Sequence, residues 1–138
     1  MTLLSAKEDF LKHTLANIPG VWARLEYLAS LRQPDGCYSH WGLARVYGEA
    51  AVQRVLAEVH RTVFIEVLET PLERLVREAA RGAEEMDMPP QDFVTRLADA
   101  PLLIPSQLGG GNVRHFNSVL ACLLALGKEG RISRGQAS

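Results

Sequence analysis

Apolar residues recur along most of this chain at spacings of three and four, the period that gathers them on one face of a helix. Stretches that alternate apolar and polar residues, as a half-buried strand would, are scarce. Ser5-Ala6-Lys7-Glu8 has the form in which a hydroxyl and a carboxylate satisfy the free amides of a helix start. A first helix is predicted from there to about Ala16. Asn17-Ile18-Pro19-Gly20 breaks it and offers a new start, with Pro19 suited to a first turn. Val21, Leu25, Leu28 and Leu31, with Trp22 beside them, predict a second helix to about Arg32. Gln33-Pro34-Asp35-Gly36 reads as a turn, because proline presets φ and glycine tolerates positive φ. Ser39 to Tyr47 follows as a short helix, stopped by Gly48.

The longest stripe is Val52, Leu56, Val59, Val63 and Val67, widened by Val55, Phe64, Ile65 and Leu68. It predicts a helix from Glu49 to Glu69. Thr70-Pro71-Leu72-Glu73 ends it and starts another, with Thr70 as the cap and Pro71 in the first turn. That next helix is predicted to run to about Met86. Met88-Pro89-Pro90 separates it from a short helix over Gln91 to Ala100. Pro101 to Asn112 holds two prolines and three consecutive glycines, and is expected to cross the bundle as a loop. Leu102, Leu103, Ile104 and Leu108 would pin it. A last helix is predicted from Val113 to about Leu126. The expected fold is all-α: a single-domain helical bundle of five to seven helices over residues 1–127, with this Pro/Gly-rich crossing loop. Residues 128–138 are expected to form a flexible C-terminal tail.

With 138 residues and 47% hydrophobic content, the chain can bury a core without a metal or a disulfide. The same content excludes a disordered protein. A formal net charge of −1 excludes a strongly polyanion-seeking one. That balance is regional: residues 71–100 carry four Arg against seven acids, whereas residues 101–138 carry four basic residues against Glu129 alone. An acidic helix face beside a basic tail is the expected outcome. Val119 to Leu126, the longest strictly apolar stretch, has eight residues. A membrane span needs roughly 20, so no membrane association is expected. Met1 to Phe10 has neither the basic start nor the long apolar run of a signal peptide. Cys37 and Cys122 share no metal-binding spacing, and Cys122, inside the apolar run, is expected to be buried and inert. Both are expected to stay reduced, which points to the cytoplasm.

Candidate chemistry begins with His13, His40, His60 and His115. None stands in the spacings that put two metal ligands on one helical face, so neither a metal nor another cofactor is expected. His60 lies at the edge of the long stripe, among Leu56, Ala57, Val63 and Phe64. A half-buried imidazole there needs hydrogen-bond partners and has its pKa lowered by desolvation. Tyr38-Ser39-His40-Trp41-Gly42, with Tyr47, is the densest aromatic and polar cluster. It fits a tight helix crossing anchored by Trp41, a protein interface or a ligand pocket. Arg114-His115-Phe116-Asn117 opens the last helix after the glycine triplet, but no phosphate-binding Gly-rich motif is present. Asn117 falls in the arc of Val113, Leu120 and Leu124, so its amide is expected to be buried and bonded. Glu66 is expected on the apolar side of its helix. No nucleophile elbow is present and no catalytic residue is assigned. Nucleic-acid binding is not expected, because the Val119–Leu126 segment lacks the basic, polar face of a recognition helix.

Two functions from different classes follow. The first is a helical protein–protein interaction or oligomerisation module, most simply a homodimer that buries part of the Tyr38–Tyr47 cluster. The alternative is a small-molecule-binding protein or enzyme whose pocket gathers His40, Trp41, His60, His115 and Asn117.

Overall fold

The structure is a computed structural model and describes residues 3–106 and 108–132. Among these residues it is all-α, with seven helices and no strand. They are α1 (Leu3–His13), α2 (Val21–Leu31), α3 (Trp41–Tyr47), α4 (Glu49–Glu69), α5 (Leu72–Glu85), α6 (Pro90–Ala98) and α7 (Gly110–Lys128). Short 3-10 turns occupy Leu15–Asn17 and Pro101–Leu103. None of the described helices is long and apolar enough to cross a membrane. The contacts gather into two compact units, Met1–Phe64 with Leu102–Gln107, and Ile65–Pro101 with Leu108–Ser138.

In the first unit, α4 buries the predicted stripe: Val52, Leu56, Val59 and Val63 all lie below 4% exposure, as do Val55 and Phe64. Trp22, Leu25 and Leu28 bury the matching face of α2. The Phe10 ring of α1 stacks on Tyr27 at 6.3 Å and meets the His40 ring edge-on at 5.6 Å. Lys7 pairs with Glu58 at 2.8 Å, and the Tyr47 hydroxyl donates to the Asp9 carboxylate. These contacts tie α1 to α4 and to α3. Gly48 ends α3 at φ +92°, a backbone that disfavours any side chain, and α4 starts at once. Residues 102–106 join this unit through buried Leu103 and Pro105.

In the second unit, α5 buries Leu75, Ala79 and Ala83, and α6 buries Phe93, Val94 and Leu97. A Cβ on Gly82 would stand 2.5 Å from the Phe93 ring, so the missing side chain is what lets α5 and α6 approach. The acids of α5 are partly neutralised within the helix, Arg74 with Glu78 and Arg81 with Glu85.

Several boundaries move for identifiable reasons. Helix α1 is already running at Leu3, so Ser5 lies inside it rather than at its cap. Pro71, not Thr70, is the cap residue of α5, because the Thr70 hydroxyl turns back to the Glu66 carbonyl at 2.7 Å. Helix α7 takes in Gly110 and Gly111, starting three residues before the expected Val113. At its far end Gly130 adopts φ +69°, its amide donates to the Gly127 carbonyl and that of Arg131 to Leu126. This Schellman closure satisfies carbonyls that a frayed end would leave to water. The expected tail is therefore a capped helix end as far as Ile132, which is 5% exposed. Residues 133–138 lie outside the described residues.

Candidate functional site

The Gln33–Gly36 turn forms as predicted, with the Gly36 amide donating to the Gln33 carbonyl at 2.8 Å. It folds the chain back so that Tyr38 bridges to Arg32 at the end of α2. From α4, Gln53 then clamps the Tyr38 backbone from both sides. Its Oε1 accepts from the Tyr38 amide at 2.7 Å and its Nε2 donates to the Tyr38 carbonyl at 2.6 Å. Held in this way, the Tyr38 hydroxyl meets His60 Nδ1 at 2.7 Å, and the two rings stand edge-on at 5.7 Å.

His60 has 0% exposure, the one fully buried polar side chain among the described residues. The edge of the stripe is closed over it by residues 102–106, which Arg32 secures. One guanidinium nitrogen of Arg32 donates to the Ile104 carbonyl and another to Ser106 Oγ at 2.8 Å. Burial in this setting holds the His60 pKa down to about 4, against a favourable pull from the Leu103 backbone; the Arg32 charge adds to the depression. Nε2 has no partner within hydrogen-bond geometry. The tautomer that best suits both neighbours carries its proton on Nε2, toward Leu103, and lets Nδ1 accept from Tyr38. His60 is thus a neutral residue at pH 7. Burial also raises the Tyr38 pKa, with Arg32 opposing.

A cleft of about 200 Å³ opens beside this network, lined by Gly36, Tyr38, Gln53, Ala57, Arg61, Pro105 and Ser106. A neighbouring cleft of about 260 Å³ shares Ala57 and Arg61 and adds Arg54, Val55 and Glu58.

The second feature of this unit is the outer face of α3. Trp41 is 74% exposed and Val46 55% exposed, and Gly42 and Arg45 between them are exposed too. The Arg45 guanidinium lies over the Trp41 ring at 5.1 Å. Below this face the helix is fixed by buried Leu43, by the Tyr47–Asp9 bond and by His40. His40 Nδ1 accepts from the Leu43 amide at 3.1 Å, so the imidazole caps the helix. A Cβ at Gly42 would meet that ring at 3.4 Å and nothing outside the helix and its cap. Gly42 therefore makes room for the cap rather than for a crossing helix, and Trp41 is not a core anchor.

The predicted site residues are carried by the cap of α3, by α3 itself, by α4 and by α7. His40 and Trp41 belong to α3, as cap and as exposed surface, and His60 belongs to the buried network. His115 and Asn117 lie exposed on α7, in the second unit. The arc that α7 buries is Phe116, Leu120 and Leu123, which leaves the Asn117 amide in solvent rather than in the core. Cys122, expected inside, is exposed, and both cysteines are free. Glu66 is exposed as well. Arg32, Gln53 and Ser106 were not singled out by sequence, and only Arg32, closing a helix just before a turn, carries even a faint local signal. Among the described residues no three His, Cys, Asp or Glu side chains converge as a metal site. No protein-family model matches the chain, and no curated protein or solved structure matches it either.

Proposed function

We propose that the chain is a helical interaction module that self-associates through the outer face of α3, most simply as a homodimer. One observation carries this reading: a tryptophan at 74% exposure, on a helix held from beneath, beside an exposed valine. Trp and Arg are the side chains that anchor interfaces, because each offers a large, partly apolar surface at small entropic cost. A second copy is the simplest occupant, since two-fold self-contact is the commonest way for one chain to cover such a face. The exposed, unpaired thiols of Cys37 and Cys122 favour the reducing cytoplasm as its compartment.

The two tryptophans make the test direct, because Trp22 is 1% exposed and Trp41 74%. Sedimentation velocity across a concentration series should show a dimer, with a blue shift of tryptophan emission over the same range. Trp41→Ala should abolish both and leave the helical circular dichroism unchanged. A wild-type chain that stays monomeric at millimolar concentration, with concentration-independent emission, overturns the reading.

The alternative, a small-molecule-binding protein or enzyme, draws its support from the Tyr38–His60 network beside the 200 Å³ cleft. His115 and Asn117 of the expected pocket are exposed on α7.

A further inference from the structure

The smaller cleft has no carboxylate among its described lining residues, and two guanidinium groups stand at it. Arg61 lines it, is exposed, and forms no ion pair among the described residues. Glu58, one turn earlier on α4, feels the Arg61 charge but hydrogen-bonds Lys7 at 2.8 Å. Arg32 stands behind Ser106, part-buried, and spends two nitrogens on an uncharged carbonyl and a hydroxyl. Its Nε is buried with no partner at all. A charge withdrawn from water without an opposite charge is costly, and the cost is relieved when an anion binds beside it.

The donor set is equally one-sided. Ser106 Oγ accepts from Arg32, which leaves the hydroxyl proton of Ser106 free to donate outward. Gln53 has both of its polar atoms committed to the Tyr38 backbone, so it offers no competing acceptor. The neighbouring cleft shares Arg61 but contains the Glu58 carboxylate, an acceptor that would repel an anion. With Arg61 in its lining and Arg32 behind Ser106, the cleft offers two guanidinium groups, which suit a dianion better than a single carboxylate. A cleft of about 200 Å³ suits a small group, being below the roughly 300–1,000 Å³ of pockets that hold drug-sized ligands.

We propose that this cleft binds a phosphate dianion, as inorganic phosphate or as the phosphoryl end of a small phosphomonoester, held by Arg61 and the Ser106 hydroxyl with the Arg32 charge behind them. The site is separate from the α3 face and stands whether or not the chain dimerises.

The test is calorimetric titration of the full chain with inorganic phosphate and with glycerol phosphate, at constant ionic strength against chloride. Saturation with one equivalent is expected. Phosphate at ten times its dissociation constant should raise the melting temperature by about 5 °C. Arg61→Gln should weaken binding at least tenfold and Ser106→Ala by a smaller factor. Arg54→Gln, the same charge change on the same helix outside this cleft, should leave it unchanged. Tighter binding of glycerol phosphate than of phosphate identifies an ester as the ligand, and the reverse identifies the free ion. Equal losses from Arg54→Gln and Arg61→Gln, or a response to phosphate no greater than to chloride, overturn the proposal.

Discussion

Acidification should unlock the first unit through a single side chain. In the unfolded chain His60 takes up a proton near its ordinary pKa of 6.5, whereas in the folded unit it resists until about pH 4. Between those values the unfolded state holds the extra proton, so stability is intact above pH 6.5 and falls as pH drops toward 4. The whole shift corresponds to about 3 kcal/mol, at roughly 1.4 kcal/mol per pH unit, and the part already lost at pH 5 is about 2 kcal/mol. Glu58, whose carboxyl Lys7 holds below its ordinary 4.5, is still largely ionised at pH 5 and adds little to the change there. The control is the double variant Tyr38→Phe, His60→Leu, which removes donor and acceptor together. At pH 7.5 it should cost less than either single change, each of which strands a buried polar group at about 1–3 kcal/mol. Urea denaturation at pH 7.5 and pH 5.0, followed by hydrogen exchange of the α4 amides up to Phe64, reads the first unit by itself. The wild-type midpoint should fall by about 1 M between the two conditions, and that of the double variant by far less. A His60 ring resonance that titrates near 6.5 in the folded protein would falsify the argument. So would equal acid sensitivity in wild type and double variant.

Two further predictions concern the second unit. Gly82→Ala improves helix propensity by about 1 kcal/mol, but its methyl would enter the Phe93 ring. Overpacking of that kind costs about 1–3 kcal/mol, so thermal denaturation should show net destabilisation, with Phe93→Leu as a second change restoring part of it. Asp87 closes α5 at φ +53°, where its amide and that of Met88 cap the Glu84 and Ala83 carbonyls. Asp87→Gly relieves that backbone and should stabilise by about 0.5–1 kcal/mol. An unchanged or lower melting temperature would show that the aspartate side chain supplies more than the αL conformation costs.

How much of this was legible in the sequence varied with the distance over which each feature is decided. Helix α4 could be read to the residue, because Gly48 and the Thr70-Pro71 pair are local signals on either side of an unbroken stripe. The short helix α3 was readable from the residues between a turn and Gly48. The burial of His60 was not, because the cover comes from residues 102–106 and is secured by a bond from Arg32 to a carbonyl 72 positions away. No periodicity within α4 encodes that lid. Helix α7 fails differently. A helix apolar around most of its circumference has no unique inner face to calculate, so spacing alone placed Asn117 and Cys122 inside. The core instead selects the large Phe116, Leu120 and Leu123 and leaves the small Ala121, Cys122 and Ala125 outward. His40 was read as chemistry because helix caps are ordinarily Ser, Thr, Asp or Asn, and an imidazole in that role has no sequence signature.

The division of the chain also sets an order of events during synthesis. The first unit is discontinuous: after Phe64 it needs Leu102–Gln107, and the intervening residues belong to the other unit. A nascent chain that has emerged only as far as Pro101 carries α1 to α4 but lacks Leu103, Ile104 and Ser106, the groups that close over His60 and engage Arg32. At roughly 5–20 residues per second, the stretch from Phe64 to Ser106 leaves a wait of seconds in which that imidazole is uncovered. During that interval His60 lacks its cover and the Arg32 guanidinium lacks the Ile104 and Ser106 acceptors. The last residues of the lid therefore act as a timing element, and the first unit matures only once most of the second has been made.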